Sequence, residues 1–176
     1  YTFPKGFLWG TATAAHQVEG NNTNNDWADW ETEPGRIKDN HRSGLACDWW
    51  NGRWEEDFDR ALDGGQNTHR FSVEWSRIQP APKQWNEEAL EFYRKMAAGL
   101  FTRGITPVVT LHHFTNPRWL ADMGGWESNE TPGLFAEFTQ RVVDAIKDYV
   151  TIWVTVNEPN VYTFNAYVDG LFPPGK

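Results

Sequence analysis

Cysteine is almost missing from this chain. Cys47 is the only one in 176 residues, so no internal disulfide can form and a reducing, cytoplasmic setting is expected. Basic charge is also scarce. Lys and Arg total 16 against 24 Asp and Glu, a formal net charge of -8, which argues against nucleic acid or an anionic membrane surface as a partner. No apolar run approaches the roughly 20 residues of a membrane span, and Tyr1-Thr2-Phe3-Pro4 does not resemble a signal peptide. The numbering starts at Tyr1 rather than at an initiator methionine, and is expected to begin within a trimmed chain. No cluster of Asp, Glu and His stands at ligand spacing, and the adjacent His112 and His113 should diverge on a strand, so neither a metal nor a cofactor is expected. Two short glycosylation sequons, at Asn21 and Asn129, carry little weight because the pattern arises often by chance.

What is abundant is tryptophan, with eleven. Most are expected in helix-to-sheet packing; the remainder suit a cleft with flat aromatic walls of the kind on which sugar faces stack. The length suits one domain with a sizeable core.

Along the chain, strand and helix alternate. Phe7 to Ala14 reads as a first strand leading to His16-Gln17-Val18-Glu19-Gly20, and a long polar loop follows from Asn21 to about Gly44. A loop of that length more often shapes a site than links elements. Asp48 to Leu62 reads as a helix with Trp54, Phe58 and Leu62 on one face, ended by Gly64-Gly65. Thr68 to Trp75 is a second strand. Asn86 caps a helix with the stripe Leu90, Tyr93, Ala97 and Leu100, and Gly104 closes it. Thr106 to Phe114 is a third strand, broken by Asn116-Pro117. A third helix carries Leu134, Phe138, Val142, Ile146 and Tyr149, and Val150 to Val156 returns as a fourth strand. Four such steps with short returns imply an α/β fold of parallel strands with right-handed crossovers. Gly170 to Lys176 reads as an exposed loop tolerant of nicking.

Several of these strands run apolar and then end in polar and aromatic side chains: Arg70 to Trp75, His112-His113-Phe114, and Ile152 to Asn160 with its terminal Asn157-Glu158-Pro159. Taken alone, Asn157-Glu158-Pro159 is as readily a solvated turn. The repetition is what points further, because a parallel barrel builds its site from several strand ends. A complete barrel of eight units takes about 250 residues, so 176 residues with four strands leave either an open sheet or half a barrel.

The motifs themselves choose between these. Phe3-Pro4-Lys5-Gly6-Phe7-Leu8-Trp9-Gly10-Thr11-Ala12-Thr13-Ala14-Ala15-His16-Gln17-Val18-Glu19-Gly20 resembles the opening of glycoside hydrolase family 1, the β-glucosidase and β-galactosidase family. Arg70 to Ile78, Val109 to Phe114, and Thr155-Val156-Asn157-Glu158-Pro159 resemble its next three motifs, in order and at about its spacing. The resemblance covers the whole chain and stops midway through the family's barrel. It implies residues 1–176 as one incomplete domain, the first four (β/α) units of a (β/α)8 barrel, with the nucleophile's Glu-Asn-Gly motif in an absent C-terminal half. By position it implies Glu158 as acid/base, Asn157 on the sugar 2-hydroxyl, Gln17 and His113 on hydroxyls further round the ring, and Arg70 beside the nucleophile. The plainer alternatives are a structural ion pair for Arg70 and a core histidine for His113; His16, His69 and His112 read as structural. The family often has tyrosine where this chain has His69, and tryptophan where it has Phe114.

Those residue types fit cleavage of a β-glycoside with retention. Two carboxyls about 5 to 5.5 Å apart are needed, one to attack the anomeric carbon and the other to protonate the leaving oxygen and then activate water. Glu158 should therefore hold its proton near neutrality, against an ordinary value of about 4.3, helped by a partly buried site and a second carboxylate. Strict alternation would point Asn157 and Glu158 to opposite faces, so the strand is expected to lose regularity there. The implied partners are a β-glycoside substrate and the C-terminal half of the barrel. The other open reading is a non-catalytic half-barrel that assembles with a complementary chain or with itself and at most binds sugar.

Overall fold

The computed structural model describes all of Tyr1–Lys176. Four parallel strands, β1 (Gly10–Ala12), β2 (Thr68–Ser72), β3 (Thr106–His112) and β4 (Ile152–Val156), form one sheet in the order β1-β2-β3-β4. The helices are α1 (Ala15–Val18), α2 (Asp26–Trp30), α3 (Trp54–Asp63), α4 (Trp75–Ile78), α5 (Glu87–Thr102), α6 (Arg118–Asp122), α7 (Thr131–Ile146) and α8 (Pro159–Tyr167). This is the α/β architecture of parallel (β/α) units, with half the strands of an eight-stranded barrel.

Register assigns the two faces. Phe71 pairs with Val109 and Val109 with Trp153; Phe71, Val73, Val109 and Leu111 are buried with Phe58 of α3, Tyr93 and Leu100 of α5, and Phe138 and Ile146 of α7 in one core. Each such apolar side chain fully buried contributes about 1.5 to 3 kcal/mol. The alternating set faces the other way. There Arg70, Val108 and Val154 are only half-buried and Ile152 is exposed, while Ser72, Thr110 and His112 toward the strand ends are buried. Backbone approach at the first strand is close: a Cβ on Gly10 would lie 1.9 Å from the Thr68 carbonyl oxygen, so only glycine lets β1 lie against β2.

Several elements differ from the sequence expectation. β1 keeps only Gly10–Ala12, since Phe7 and Trp9 leave the ladder to cluster with Phe3, at ring separations of 4.6 to 4.8 Å. β2 and β3 stop early. Trp75 turns into α4, capped by Glu74, and Phe114 takes a left-handed φ of 71°. In α3 the buried face is Trp54, Phe58 and Ala61, while Leu62 points to solvent. The loop after Gly20 contains α2, whose N-cap Asn25 accepts a hydrogen bond from the Ala28 amide at 2.8 Å. After β4 comes α8, with Pro159 at its first turn, where a missing amide costs nothing. The tail is not a free loop. The Leu171 amide donates to the Asn165 carbonyl, Lys176 N to that of Ala166, and Gly175 sits so close to Trp30 that a Cβ would be 2.7 Å from its ring.

Tryptophan is mainly structural, as expected. Trp49, Trp54 and Trp75 are core residues, and Trp50, Trp85, Trp119 and Trp153 pack against them.

α8 carries apolar residues on two sides. Tyr162 and Ala166 are buried, whereas Val161, Phe164 and Val168 form an exposed stripe at spacings of three and four, continued by Leu171. With that stripe, the uncovered sheet face and the unpaired outer edges of β1 and β4, the 176-residue chain by itself should associate. Analytical ultracentrifugation is expected to show concentration-dependent oligomers or aggregates. A compact monomer at high concentration would contradict the expectation.

Candidate active site

The C-terminal ends of the four strands bring the polar motif residues to one rim. At β4, the Asn157 amide extends the ladder by donating to the His112 carbonyl at 2.9 Å. Glu158 then adopts φ 43° and ψ 59°, which ends the strand's alternation at the residue where the sequence required it. A left-handed conformation at a non-glycine residue costs on the order of 1 to 3 kcal/mol and concentrates at functional sites. Glu158 is exposed and Asn157 buried.

Asn157 meets His113. Its Nδ2 donates to His113 Nε2 at 3.4 Å. An amide nitrogen only donates, so Nε2 accepts and the ring proton sits on Nδ1, which is buried without a partner in the chain. Burial pulls the His113 pKa down to about 4, and the Arg70 charge adds to the effect, so the ring is neutral near neutrality. Arg70 is the second group left wanting. Its Nε is buried with no partner, and no Asp or Glu of the chain forms an ion pair with it. The structural ion pair considered from sequence is therefore not formed within these residues.

Gln17 reaches the site from α1. Its side chain is exposed and lies with His113 on the wall of a pocket of about 390 Å³, which also includes Ala14, Trp27, Phe114 and Phe172. The aromatic walls touch one another, with Trp27 and Phe172 centroids 4.9 Å apart and Phe114 and Phe172 5.4 Å apart. The structure thus gathers Gln17 and His113 in one pocket and joins Asn157 to them through His113. Arg70 and Glu158 are not part of that pocket's wall. Glu158 is exposed to solvent, so the burial expected around it is not built by these residues.

Behind the rim lie buried and half-buried polar residues that sequence reasoning passed over. The Glu19 carboxyl accepts from Tyr93 Oη at 2.7 Å and from Arg77 Nε at 2.8 Å, while Arg77 also bonds the Gly20 carbonyl. Burial pushes Glu19 up to about 7 against the opposing pull of Arg77, and raises Tyr93 well above its ordinary value. Asp26 accepts from the Asn116 backbone amide and Nδ2 at 2.9 and 2.8 Å, and it too is pushed up to about 7 by desolvation. Asn116 Oδ1 in turn accepts from Trp126 Nε1 at 3.0 Å and from His112 Nε2 at 3.1 Å, and its Nδ2 donates to Tyr162 Oη.

A family model described as glycosyl hydrolase family 1 matches residues 1–176, and the chain belongs to that family. Among its relatives, β-glucosidase A of Acetivibrio thermocellus is 37% identical over 99% of this chain. A solved β-glycosidase from Pyrococcus horikoshii superposes with a TM-score of 0.90 at 40% identity over 98% of the chain. A β-glucosidase from Thermotoga maritima, in complex with methoxycarbonyl-substituted glucoimidazole, does so with a TM-score of 0.94 at 36% identity. The chain spans about 40% of the length of each of these relatives.

Proposed function

We propose that these residues form the N-terminal portion of a retaining β-glycosidase acting on terminal β-glucosides or β-galactosides, with Glu158 as acid/base. The observation that carries the reading is the convergence of Gln17, His113 and Asn157 at the strand ends, with Glu158 next in sequence at a strained backbone position. In this reading the neutral His113 and Gln17 hydrogen-bond neighbouring sugar hydroxyls from the pocket wall, and Asn157 holds the 2-hydroxyl. That last bond strengthens as the ring approaches an oxocarbenium ion.

The reaction needs a second carboxyl, and the unpaired Arg70 is where one fits. A carboxylate brought beside its guanidinium from outside these 176 residues would be kept ionised and able to attack the anomeric carbon. As the glycosidic bond breaks, Glu158 gives its proton to the leaving oxygen. The ester then formed carries no charge, so Glu158 stays ionised and takes a proton from the water that releases the sugar.

The test supplies the rest of a barrel, as the chain's own continuation or as the unmatched portion of the Acetivibrio thermocellus relative. The assembled protein is expected to hydrolyse an aryl β-glucoside or aryl β-galactoside, with the β-hemiacetal appearing first by proton NMR. The 176 residues alone should hydrolyse neither. An assembled barrel, shown by co-sedimentation, that cleaves neither substrate refutes the glycosidase reading; a first product of α configuration refutes retention.

A further inference from the structure

Glu74 is fully buried, forms no ion pair and has no part in the proposed chemistry, yet four donors converge on its two oxygens. Asn22 Nδ2 at 2.8 Å and Thr115 Oγ1 at 2.9 Å share Oε2. Ser76 Oγ at 2.7 Å and the Ser76 amide at 3.3 Å share Oε1. These donors come from three separate segments. Asn22 lies on the loop after β1, five residues beyond Gln17; Thr115 lies on the loop after β3, two residues beyond His113; Ser76 opens α4. The two loops also touch each other directly, with Asp26 N donating to the Asn116 carbonyl at 3.0 Å and Arg118 N to that of Asn24 at 3.2 Å.

A buried carboxyl is costly unless its oxygens are satisfied, so this one specifies a single arrangement of the loops that supply its donors. We propose that Glu74 is a positioning residue for sugar recognition: it locks the β1 and β3 loops in the register that puts Gln17 and His113 on one pocket wall. The proposal rests on the reading of Gln17 and His113 as hydroxyl-binding residues. A glutamine at this position would keep the shape but turn an amide NH2 toward either the Ser76 amide or the Asn22 amide, donor against donor.

Two readouts test it. In the assembled protein, Glu74→Gln should speed hydrogen exchange of the Asp26 and Arg118 amides about tenfold or more relative to amides within α5. Thr115→Val, which deletes one donor at constant shape, should do the same, and Thr115→Ser should restore slow exchange. In the assembled enzyme, Glu74→Gln and Thr115→Val should raise KM for an aryl β-glycoside about tenfold or more, with kcat changed far less. Should Glu74→Gln fail to fold, Thr115→Val and its serine rescue decide the matter. Unchanged exchange at Asp26 and Arg118, exchange accelerated equally across the chain, or a loss in kcat at constant KM would overturn the role. An assembled parent protein without activity would refute the function proposed above and leave the exchange measurement to judge Glu74 by itself.

Discussion

Glu158→Gln in the assembled enzyme should lower kcat/KM for an alkyl β-glucoside by about 10² to 10⁴-fold, the usual contribution of general acid catalysis, while dinitrophenyl β-glucoside loses far less. The difference follows from the leaving group. A dinitrophenolate departs unprotonated, whereas an alkoxide must be protonated as its bond breaks, and glutamine has no proton to give. The specificity constant is the right quantity because it reports steps up to the first irreversible one, formation of the glycosyl ester. The second step should be slow for both substrates, since the same residue must activate water. Added azide attacks without losing a proton and should restore turnover of the dinitrophenyl substrate. Equal losses of kcat/KM on both substrates would remove Glu158 from the acid role.

Stability of the chain should peak near pH 6.5. His69, His112 and His113 are each held down at about 4 by burial, against about 6.5 in an unfolded chain. Each therefore contributes stability that is full above 6.5 and lost as the pH falls through 4, because the unfolded chain binds a proton that the folded one refuses. Glu19 and Asp26 act with the opposite sign. Burial pushes both up to about 7, so their contributions are full below the ordinary carboxyl range and lost as the pH rises through 7. Between about 4.5 and 6.5 the three histidines outweigh the two acids, and stability should rise with pH. Just above 6.5 only the acids act, and it should fall. Urea unfolding followed by tryptophan fluorescence checks this, and Glu19→Gln should flatten the decline on the alkaline side. A monotonic fall in stability from pH 5 to 7 would contradict the balance.

The elements legible in the sequence were those whose apolar pattern has one period and one destination. Leu90, Tyr93, Ala97 and Leu100 of α5 and Phe138, Val142 and Ile146 of α7 face one core and are all buried. α8 escaped notice because its apolar residues face two ways, Tyr162 and Ala166 inward and Val161, Phe164 and Val168 outward, and because Pro159 reads as a breaker when it is a helix start. α2 was hidden in a run of asparagines, any of which could cap a helix; only Asn25 does. The tail read as loose from its Pro-Pro-Gly composition, yet it folds back over α8 and Trp30.

Sequence by itself determined the order of four strand-helix units, their parallel pairing, and the residue types at each strand end, since these depend on local period and on motif. It also fixed that Asn157 and Glu158 could serve one site only if the strand's alternation broke. Tertiary structure decided where the break falls, because φ at Glu158 depends on how α8 docks after β4. It decided that Asn157 bonds His113, that Arg70 has no acid of its own, and that Glu74 ties the loops carrying Asn22 and Thr115. The bonds among them join residues 41 to 52 positions apart; each is a distance between loops, set by strand register and by the desolvation of buried polar groups, and neither quantity is written in any local stretch of the chain.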